Sequence, residues 1–228
     1  MKRIGIIGGM APYSTASYYM EMLTKYENAQ KNIRYPEIVI YSVNFEKIVK
    51  EDYKSHDYIS YIFEQLDKVG CDCAIAACNS IHTVFNDLSS KMPIPWISIM
   101  EAVKYYISRM DVKNIGLLGT TYTMRDTFYD KYFAGSHEFI RPDEQLGEEL
   151  NTRIYNEIVY DRCTAESKEF AVRIVENVRS KGADIILLAC TELNVLFCDL
   201  DLDMPVVDSA KMHVDYMVEK LIESNSSI

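Results

Sequence analysis

The chain has 228 residues and a formal net charge of −10 at pH 7, which disfavours a nucleic-acid surface because phosphate binding requires a concentrated basic patch. Although 48% of the residues are hydrophobic, no uninterrupted apolar stretch approaches the roughly 20 residues of a membrane span. The start of the chain also lacks the pattern of a signal peptide. We therefore expect a soluble, cytoplasmic protein, in which any anionic substrate would have to be held by local donors rather than by net charge.

Short apolar runs alternate with amphipathic helical stretches along the chain, as in proteins whose parallel sheets are covered by helices. In chain order we predict strand 3–8, helix 14–26, strand 37–43, helix 58–69, strand 73–77, strand 96–99, helix 101–109, strand 115–119, helix 146–160, helix 166–181, strand 184–188, strand 205–207 and helix 209–224. Continuous apolar runs such as Ile185–Leu188 indicate strands that are buried on both faces.

Three segments of the chain recur in the same order, at separations of 111, 112 and 110 residues. They are residues 4–8 and 115–119, residues 70–79 and 182–191, and residues 94–97 and 204–207. This repeat predicts two pseudo-symmetric α/β domains with mainly parallel sheets and an active site in the cleft between them, at the carboxyl ends of the strands. We expect one domain to comprise residues 1–100 plus 208–228, and the other residues 101–207.

Cys78 and Cys190 occupy equivalent places in the repeat. Each ends an apolar strand and precedes polar residues that can open a helix, where the helix dipole and free N–H groups lower the pKa of a thiol. Two equivalent acid/base groups suit inversion of a stereocentre, since one removes a proton and the other returns it from the opposite face. The two thiols of such a pair influence each other's ionisation, so their protonation is described for the pair and not for each residue. The alternative is that both cysteines only pack at strand ends.

The remaining cysteines carry no comparable signal. Cys71 and Cys73 are predicted to be buried on one face of a strand by alternation, rather than to bind metal. Cys163 and Cys198 lack a paired context, and no clustered ligands predict a metal site. Three aspartates alternate in a short loop that we interpret as a solvated turn rather than a calcium loop: Asp199, Asp201 and Asp203.

Two strand-to-helix turns are candidate anion sites. Gly5 and Gly8 precede a turn whose amides either hold an anion or simply form a tight connection. The equivalent turn carries Thr120 and Thr121, whose hydroxyls and amides are expected to hold a carboxylate. Neither turn has a nucleotide-binding pattern.

Two further side chains lie beside the cysteines in sequence. His82 follows Cys78 by four residues and either tunes the thiol or packs in the core. Glu192 follows Cys190 by two residues and either orients the thiol or acts as a favourable acidic residue in the first turn of a helix.

Four motifs together resemble the cofactor-independent aspartate/glutamate racemase family. They are Gly8-Gly9-Met10, Cys78-Asn79-Ser80-Ile81-His82, Leu118-Gly119-Thr120 and Ala189-Cys190-Thr191-Glu192-Leu193. The resemblance implies a pseudo-symmetric two-domain fold, usually a homodimer, that inverts an acidic amino acid without pyridoxal phosphate or metal. It implies that Cys190 takes the proton from the L-amino acid and Cys78 from the D-form. The residues implied to line the substrate site are Met10, Asn79, Ser80, Thr120, Thr121 and Thr191.

The chain departs from the family where the substrate's carboxylates are held. Typical aspartate racemases carry an arginine and a lysine at the positions of Val49 and Val159. Four basic residues are candidates to substitute, of which we include Lys50 in the predicted site: Lys47, Lys50, Arg153 and Arg162. The sequence thus predicts racemisation of aspartate, with glutamate second. The alternatives are a related enzyme of the hydantoin racemase or maleate isomerase type, and a binding module that has lost catalysis.

Overall fold

The computed structural model describes residues 3–30, 35–50, 56–125 and 127–225. Its strands form two sheets in which every described pairing is parallel, so the predicted α/β class with parallel sheets is confirmed. The chain divides into two compact units, one of Met1–Ala102 with Ala210–Ile228 and the other of Val103–Ser209. Within the described residues, no helix is both long and apolar enough to cross a membrane.

The elements follow one another in the order strand, helix, strand in both halves of the chain. Up to the middle of the chain they are β1 Arg3–Gly8, α1 Pro12–Gln30, β2 Glu37–Ser42, α2 Phe45–Lys50, α3 His56–Lys68, β3 Cys73–Ala76, α4 Phe85–Leu88 and α5 Ile99–Ile107. The rest are β4 Asn114–Leu118, α6 Thr121–Arg125, α7 Phe128–Tyr132, β5 Glu138–Ile140, α8 Glu144–Asn156, α9 Ala165–Ser180, β6 Ile185–Leu188, α10 Leu193–Phe197, β7 Val206–Asp208 and α11 Ser209–Asn225. Short 3₁₀ turns lie at Ser80–Val84, Ser89–Lys91 and Ile158–Tyr160.

The two sheets have the same strand order, which reflects the repeat in the sequence. The first is ordered β2-β1-β3 and the second β5-β4-β6-β7. The place of β7 is taken in the first unit by a single bridge between Ala74 and Trp96. In both units a proline carbonyl accepts the equivalent bond, from Ala74 N–H to Pro95 and from Ile186 N–H to Pro205, each at 2.9 Å.

The predicted strand 96–99 is therefore wrong, since only Trp96 pairs. The physical reason is a helix cap. The hydroxyl of Ser98 accepts the N–H of Met100 at 3.2 Å and the Ser98 carbonyl accepts that of Ala102, so α5 begins before a strand can form. The structure also contains β5, which was not predicted because three residues carry too little pattern.

The predicted helix 146–160 is shorter than expected. Helix α8 ends at Asn156, and the 3₁₀ turn that follows is closed by Asp161 with φ +56°. This left-handed conformation is uncommon for a residue other than glycine, and aspartate tolerates it better than most.

The first sheet is buried on both faces. Ile4, Ile6 and Ile75 pack on one face with side chains of α1 and α11, whereas Ile7 and Ala74 pack on the other with those of α3. This alternation is the reason that β1 reads as an apolar run. The second unit has its own core, in which the strands pack against α8, α9 and α10.

The expectation that Cys71 and Cys73 share one face is wrong, although both are buried. Cys71 packs with one core cluster and Cys73 with the other. The alternation rule does not reach Cys71, because Gly70 turns the chain with φ +78° and the strand begins only at Cys73.

Candidate active site

Cys78 lies two residues beyond the last residue of β3, beside the end of β1. The chain is fixed there because Ala77 N–H donates to the Ile7 carbonyl at 2.9 Å. The half-buried Cys78 has its Sγ 3.6 Å from the hydroxyl of Ser80. Asn79 and Ser80 are both buried and form the start of the 3₁₀ turn Ser80–Val84. The predicted helical opening after Cys78 is thus a 3₁₀ turn.

Cys190 has the equivalent position after β6. Ala189 N–H donates to the Leu118 carbonyl at 2.7 Å, matching the bond of Ala77 in the first unit. Cys190 is buried, and its thiol donates to Oε2 of Glu192 at 3.2 Å. The hydroxyl of Thr191 donates to the same oxygen at 2.8 Å. Glu192 therefore orients this thiol, and its carboxylate does not cap α10.

Three glycines in β1 and in the turn that leads to α1 are required by backbone conformation or by close packing. Gly9 has φ +85°, and its N–H donates to the hydroxyl of Thr15 at 2.9 Å. A Cβ on Gly8 would lie 2.3 Å from Cγ2 of Thr15, and one on Gly5 would lie 2.7 Å from the side chain of Leu66. Both glycines thus have a structural reason. Met10, a predicted substrate-binding residue, is half-buried against the core of the first unit.

In the second unit the predicted ligand residues Thr120 and Thr121 are held by hydrogen bonds. The Thr120 hydroxyl is buried and lies 3.2 Å from that of Thr123. The N–H and hydroxyl of Thr121 both donate to Oδ1 of Asn151, at 2.9 and 3.2 Å. Asn151 was not predicted, because a polar residue within an amphipathic helix gives no signal of a contact 30 positions away.

His82 is a packed core residue. It is fully buried, its ring centre lies 5.3 Å from that of Trp96 and 5.5 Å from that of His213, and its Nε2 lies 3.4 Å from the Ala76 carbonyl. Burial, with a smaller contribution from His213, holds the pKa of His82 well below its ordinary value. The imidazole is therefore neutral and fixes the chain two residues before Cys78.

The four basic residues that are candidates to hold the substrate's carboxylates differ in the contacts that their charged groups already make. Arg153 is buried and bonded to Glu149, Glu157 and Glu166, so its guanidinium is already neutralised. The Lys47 ammonium lies 5.2 Å from the ring centre of Tyr58, and the Arg162 guanidinium 5.3 Å from that of Tyr160. The side chains of Val49 and Lys50 lie outside the described part of the chain. Val159 packs against the core of the second unit.

A cavity of about 220 Å³ lies in the second unit and is lined in part by Thr121, Arg125 and Arg141. The Arg141 guanidinium donates to Asp130 and to the Met124 carbonyl. The guanidinium of Arg125 pairs with two glutamates of α8. The two cations at this cavity are therefore balanced by carboxylates.

The loop with the three alternating aspartates agrees with a solvated turn. Asp199 lies 3.8 Å from Lys168 and Asp203 lies 4.0 Å from Arg179, and all four side chains are exposed. Among the residues that the structure describes, no group of three or more His, Cys, Asp or Glu side chains is arranged to hold a metal ion.

A model of the Asp/Glu/Hydantoin racemase family matches residues 7–217. The chain belongs to this family. A broad specificity amino-acid racemase, RacX of Bacillus subtilis (strain 168), is 24% identical over 213 residues, which are 91% of this chain and 92% of RacX. As a member of a racemase family, the chain is an enzyme of the isomerase class.

Solved structures of related proteins extend this likeness to the fold. An aspartate racemase homologue from Pyrococcus horikoshii OT3 is 32% identical and superposes with a TM-score of 0.82, covering 96% of this chain and 99% of that chain. The Picrophilus torridus aspartate racemase superposes with a TM-score of 0.77 at 21% identity. The match covers 96% of the present chain and 94% of the Picrophilus chain. The Asp/Glu racemase fold is therefore shared over nearly the whole length.

Proposed function

We propose that this enzyme racemises an acidic amino acid, with aspartate as the main substrate and glutamate second, by a two-base mechanism without a pyridoxal or metal cofactor. Cys190 takes the α-proton of the L-amino acid and Cys78 that of the D-form, and the other thiol protonates the opposite face. The resemblance to the racemase family supports a cytoplasmic homodimer as the working form.

The observation that carries this proposal is the equivalent placement of the two thiols. Each cysteine lies two residues beyond the third strand of its unit, after an alanine whose N–H bonds to the first strand. Racemisation needs two acid/base groups of similar strength that exchange roles when the reaction reverses. A duplicated fold supplies such a pair more directly than two unrelated residues would.

The chemistry sets a further requirement, because the α-proton of an amino acid is far less acidic than a thiol. Removal of this proton becomes accessible only if donors stabilise the charge that develops on the α-carboxylate, each contributing on the order of 3 kcal/mol. The predicted substrate-binding residues include buried or half-buried positions at the ends of strands or at the turns after them: Met10, Asn79, Ser80, Thr120, Thr121 and Thr191. The N–H and hydroxyl of Thr121 already donate to Asn151, and the hydroxyl of Thr191 to Glu192. The proposed donors are therefore the other amides and hydroxyls of these six residues.

Incorporation of solvent deuterium at Cα of L- and D-aspartate tests the mechanism. We expect deuterium to accumulate in the product enantiomer, since the proton that is returned comes from the second thiol. Cys78→Ala and Cys190→Ala should each slow racemisation by about 10²–10⁴-fold, the usual contribution of one acid/base group. Cys198→Ala, at an exposed cysteine, is the matched control and should retain activity. Unchanged racemisation in both active-site variants would refute the two-thiol mechanism.

A second candidate is racemisation of amino acids without a side-chain carboxylate. The observations that favour it are the neutralised guanidinium of Arg153 and the apolar packing of Val159, since a buried carboxylate needs a charged or hydrogen-bonding partner. The description of RacX as a broad specificity amino-acid racemase also favours a substrate range wider than acidic amino acids. Exchange measured in parallel on aspartate, glutamate and alanine separates the two, and binding without exchange on any of them would favour a non-catalytic module.

A further inference from the structure

The thiol of Cys190 shares a buried site with a carboxylate. Cys190 is 7% exposed and Glu192 is 8% exposed, so little water separates them. The thiol donates to Oε2 of Glu192 at 3.2 Å, and the hydroxyl of Thr191 donates to the same oxygen at 2.8 Å. Oε2 of Glu192 therefore accepts two hydrogen bonds, one of them from the Cys190 thiol.

This arrangement decides where the proton rests. A carboxyl group ordinarily has a pKa of about 4.3 and a thiol one of about 8.5, so the proton between them stays on sulfur. A thiolate of Cys190 would face the negative charge of Glu192 at close range in a largely buried site, which disfavours that state. The contact therefore stabilises Cys190 as a thiol.

We propose that Glu192 is a positioning residue that keeps Cys190 protonated in the resting enzyme. Because the two-thiol mechanism needs one thiolate, that thiolate is then at Cys78. This inference rests on the proposed two-thiol racemisation. The resting enzyme is then ready for the D-amino acid. The Cys78 thiolate takes the α-proton, so that C–H breaks and S–H forms, while Cys190 gives its proton to the opposite face of Cα.

The turnover leaves a thiol at Cys78 and a thiolate at Cys190. One proton has entered the substrate and one has left it, so the count is unchanged. The new thiolate then lies beside the Glu192 carboxylate, and this repulsion favours its reprotonation from solvent. Glu192 thereby drives the return to the resting state, in which Cys78 has lost its acquired proton.

Alkylation of the native protein by iodoacetamide at pH 7, quantified at each cysteine by mass spectrometry, tests this inference without depending on activity. The thiolate displaces iodide and forms the C–S bond, so the labelling rate follows the thiolate fraction. Glu192→Gln keeps the size of the side chain and an oxygen that can accept, but removes the charge. We expect Cys190 to be labelled about tenfold faster in this variant, while Cys163 and Cys198, in the same unit, are labelled at unchanged rates.

Thr191→Val is the matched control, because it removes the other donor to the same oxygen and leaves the charge in place. Cys190 should stay slow in this variant. An unchanged Cys190 rate in Glu192→Gln, an equal rise in Thr191→Val, or a parallel rise at Cys163 that reports loosening of the unit would each overturn the inference. If the wild-type protein exchanges no amino-acid α-proton while the Glu192→Gln effect on labelling is present, the proposed function fails instead.

Discussion

Arg153 should contribute to stability rather than to substrate binding. Its side chain is 9% exposed and bonds to Glu149 and Glu166 at 2.8 Å and to Glu157 at 3.3 Å, with its guanidinium 5.0 Å from the ring centre of Phe170. Arg153→Met keeps an unbranched aliphatic stem of similar length but removes the guanidinium, so three carboxylates lose the cation that they share. The variant therefore removes several linked contacts at once.

The expected cost follows from the exposure of the partners. Breaking a fully buried ion pair costs about 3–5 kcal/mol. The glutamates around Arg153 are 31% to 75% exposed and regain water, which reduces the loss to about 2 kcal/mol, and loss of the contact with Phe170 adds about 0.5–1 kcal/mol. We thus expect the free energy of unfolding to fall by about 3 kcal/mol.

Urea unfolding followed by circular dichroism measures this change. Arg173→Met is the matched control, because Arg173 contacts the same Glu149 and Phe170 from a position that is 54% exposed, and should cost less than about 1 kcal/mol. The KM for aspartate should be unchanged in Arg153→Met. Equal stability of the two variants would refute the reasoning, and a raised KM at full stability would assign Arg153 to the substrate instead.

Three further predictions concern the turns and the buried histidine. Gly8→Ala should lower stability by about 1–3 kcal/mol in thermal unfolding, because its Cβ would overlap Thr15; an unaltered melting temperature would contradict this. Gly119→Ala should slow α-proton exchange while largely keeping stability, because its Cβ would lie 3.0 Å from the Ala189 carbonyl, one residue before the thiol; full activity would contradict it. Burial lowers the pKa of His213 from 6.5 to about 4. Between these two pH values the unfolded chain binds a proton at this histidine that the folded chain does not bind. About 3 kcal/mol of the free energy of unfolding that is present above pH 6.5 should therefore be lost as the pH falls to 4. His213→Gln should reduce this dependence in urea titrations at several pH values, while the contribution of His82, whose pKa is also lowered, remains; an equal slope would argue against it.

The repeat in the sequence was the most informative guide to the fold. It predicted that Cys78 and Cys190 follow equivalent strands, because a duplicated segment keeps its place in a sheet, and the matching bonds of Ala77 and Ala189 agree with this. The same reasoning failed at residues 96–99, where Ser98 caps a helix in the first unit. A repeat in the sequence predicts that the backbone follows the same path in both units. It does not predict where a helix or strand ends, because that depends on individual side chains such as Ser98.

Side-chain contacts between elements of the second unit were beyond prediction. Nothing near Thr121 in the sequence indicates that its hydroxyl is held by Asn151. The spacing in the sequence does indicate the i,i+4 pairs of Arg153 with Glu149 and Glu157, but not its contact with Glu166 of α9. Such contacts depend on the angle at which elements pack, which periodicity does not encode. The contact of Glu192 with Cys190 could also be predicted, since its partner is only two residues away.

The bridge at Trp96 has an optical consequence. This is the single tryptophan of the chain, it is buried, and it lies with its ring centre 5.2 Å from that of Phe63 and 5.3 Å from that of Phe85, all within the first unit. The fluorescence of Trp96 therefore reports on the first unit alone, because the second unit has tyrosine but no tryptophan. Comparison of the melting curve of this fluorescence with that of the circular dichroism signal, to which the helices of both units contribute, shows without any label whether the two units melt in one step or in sequence.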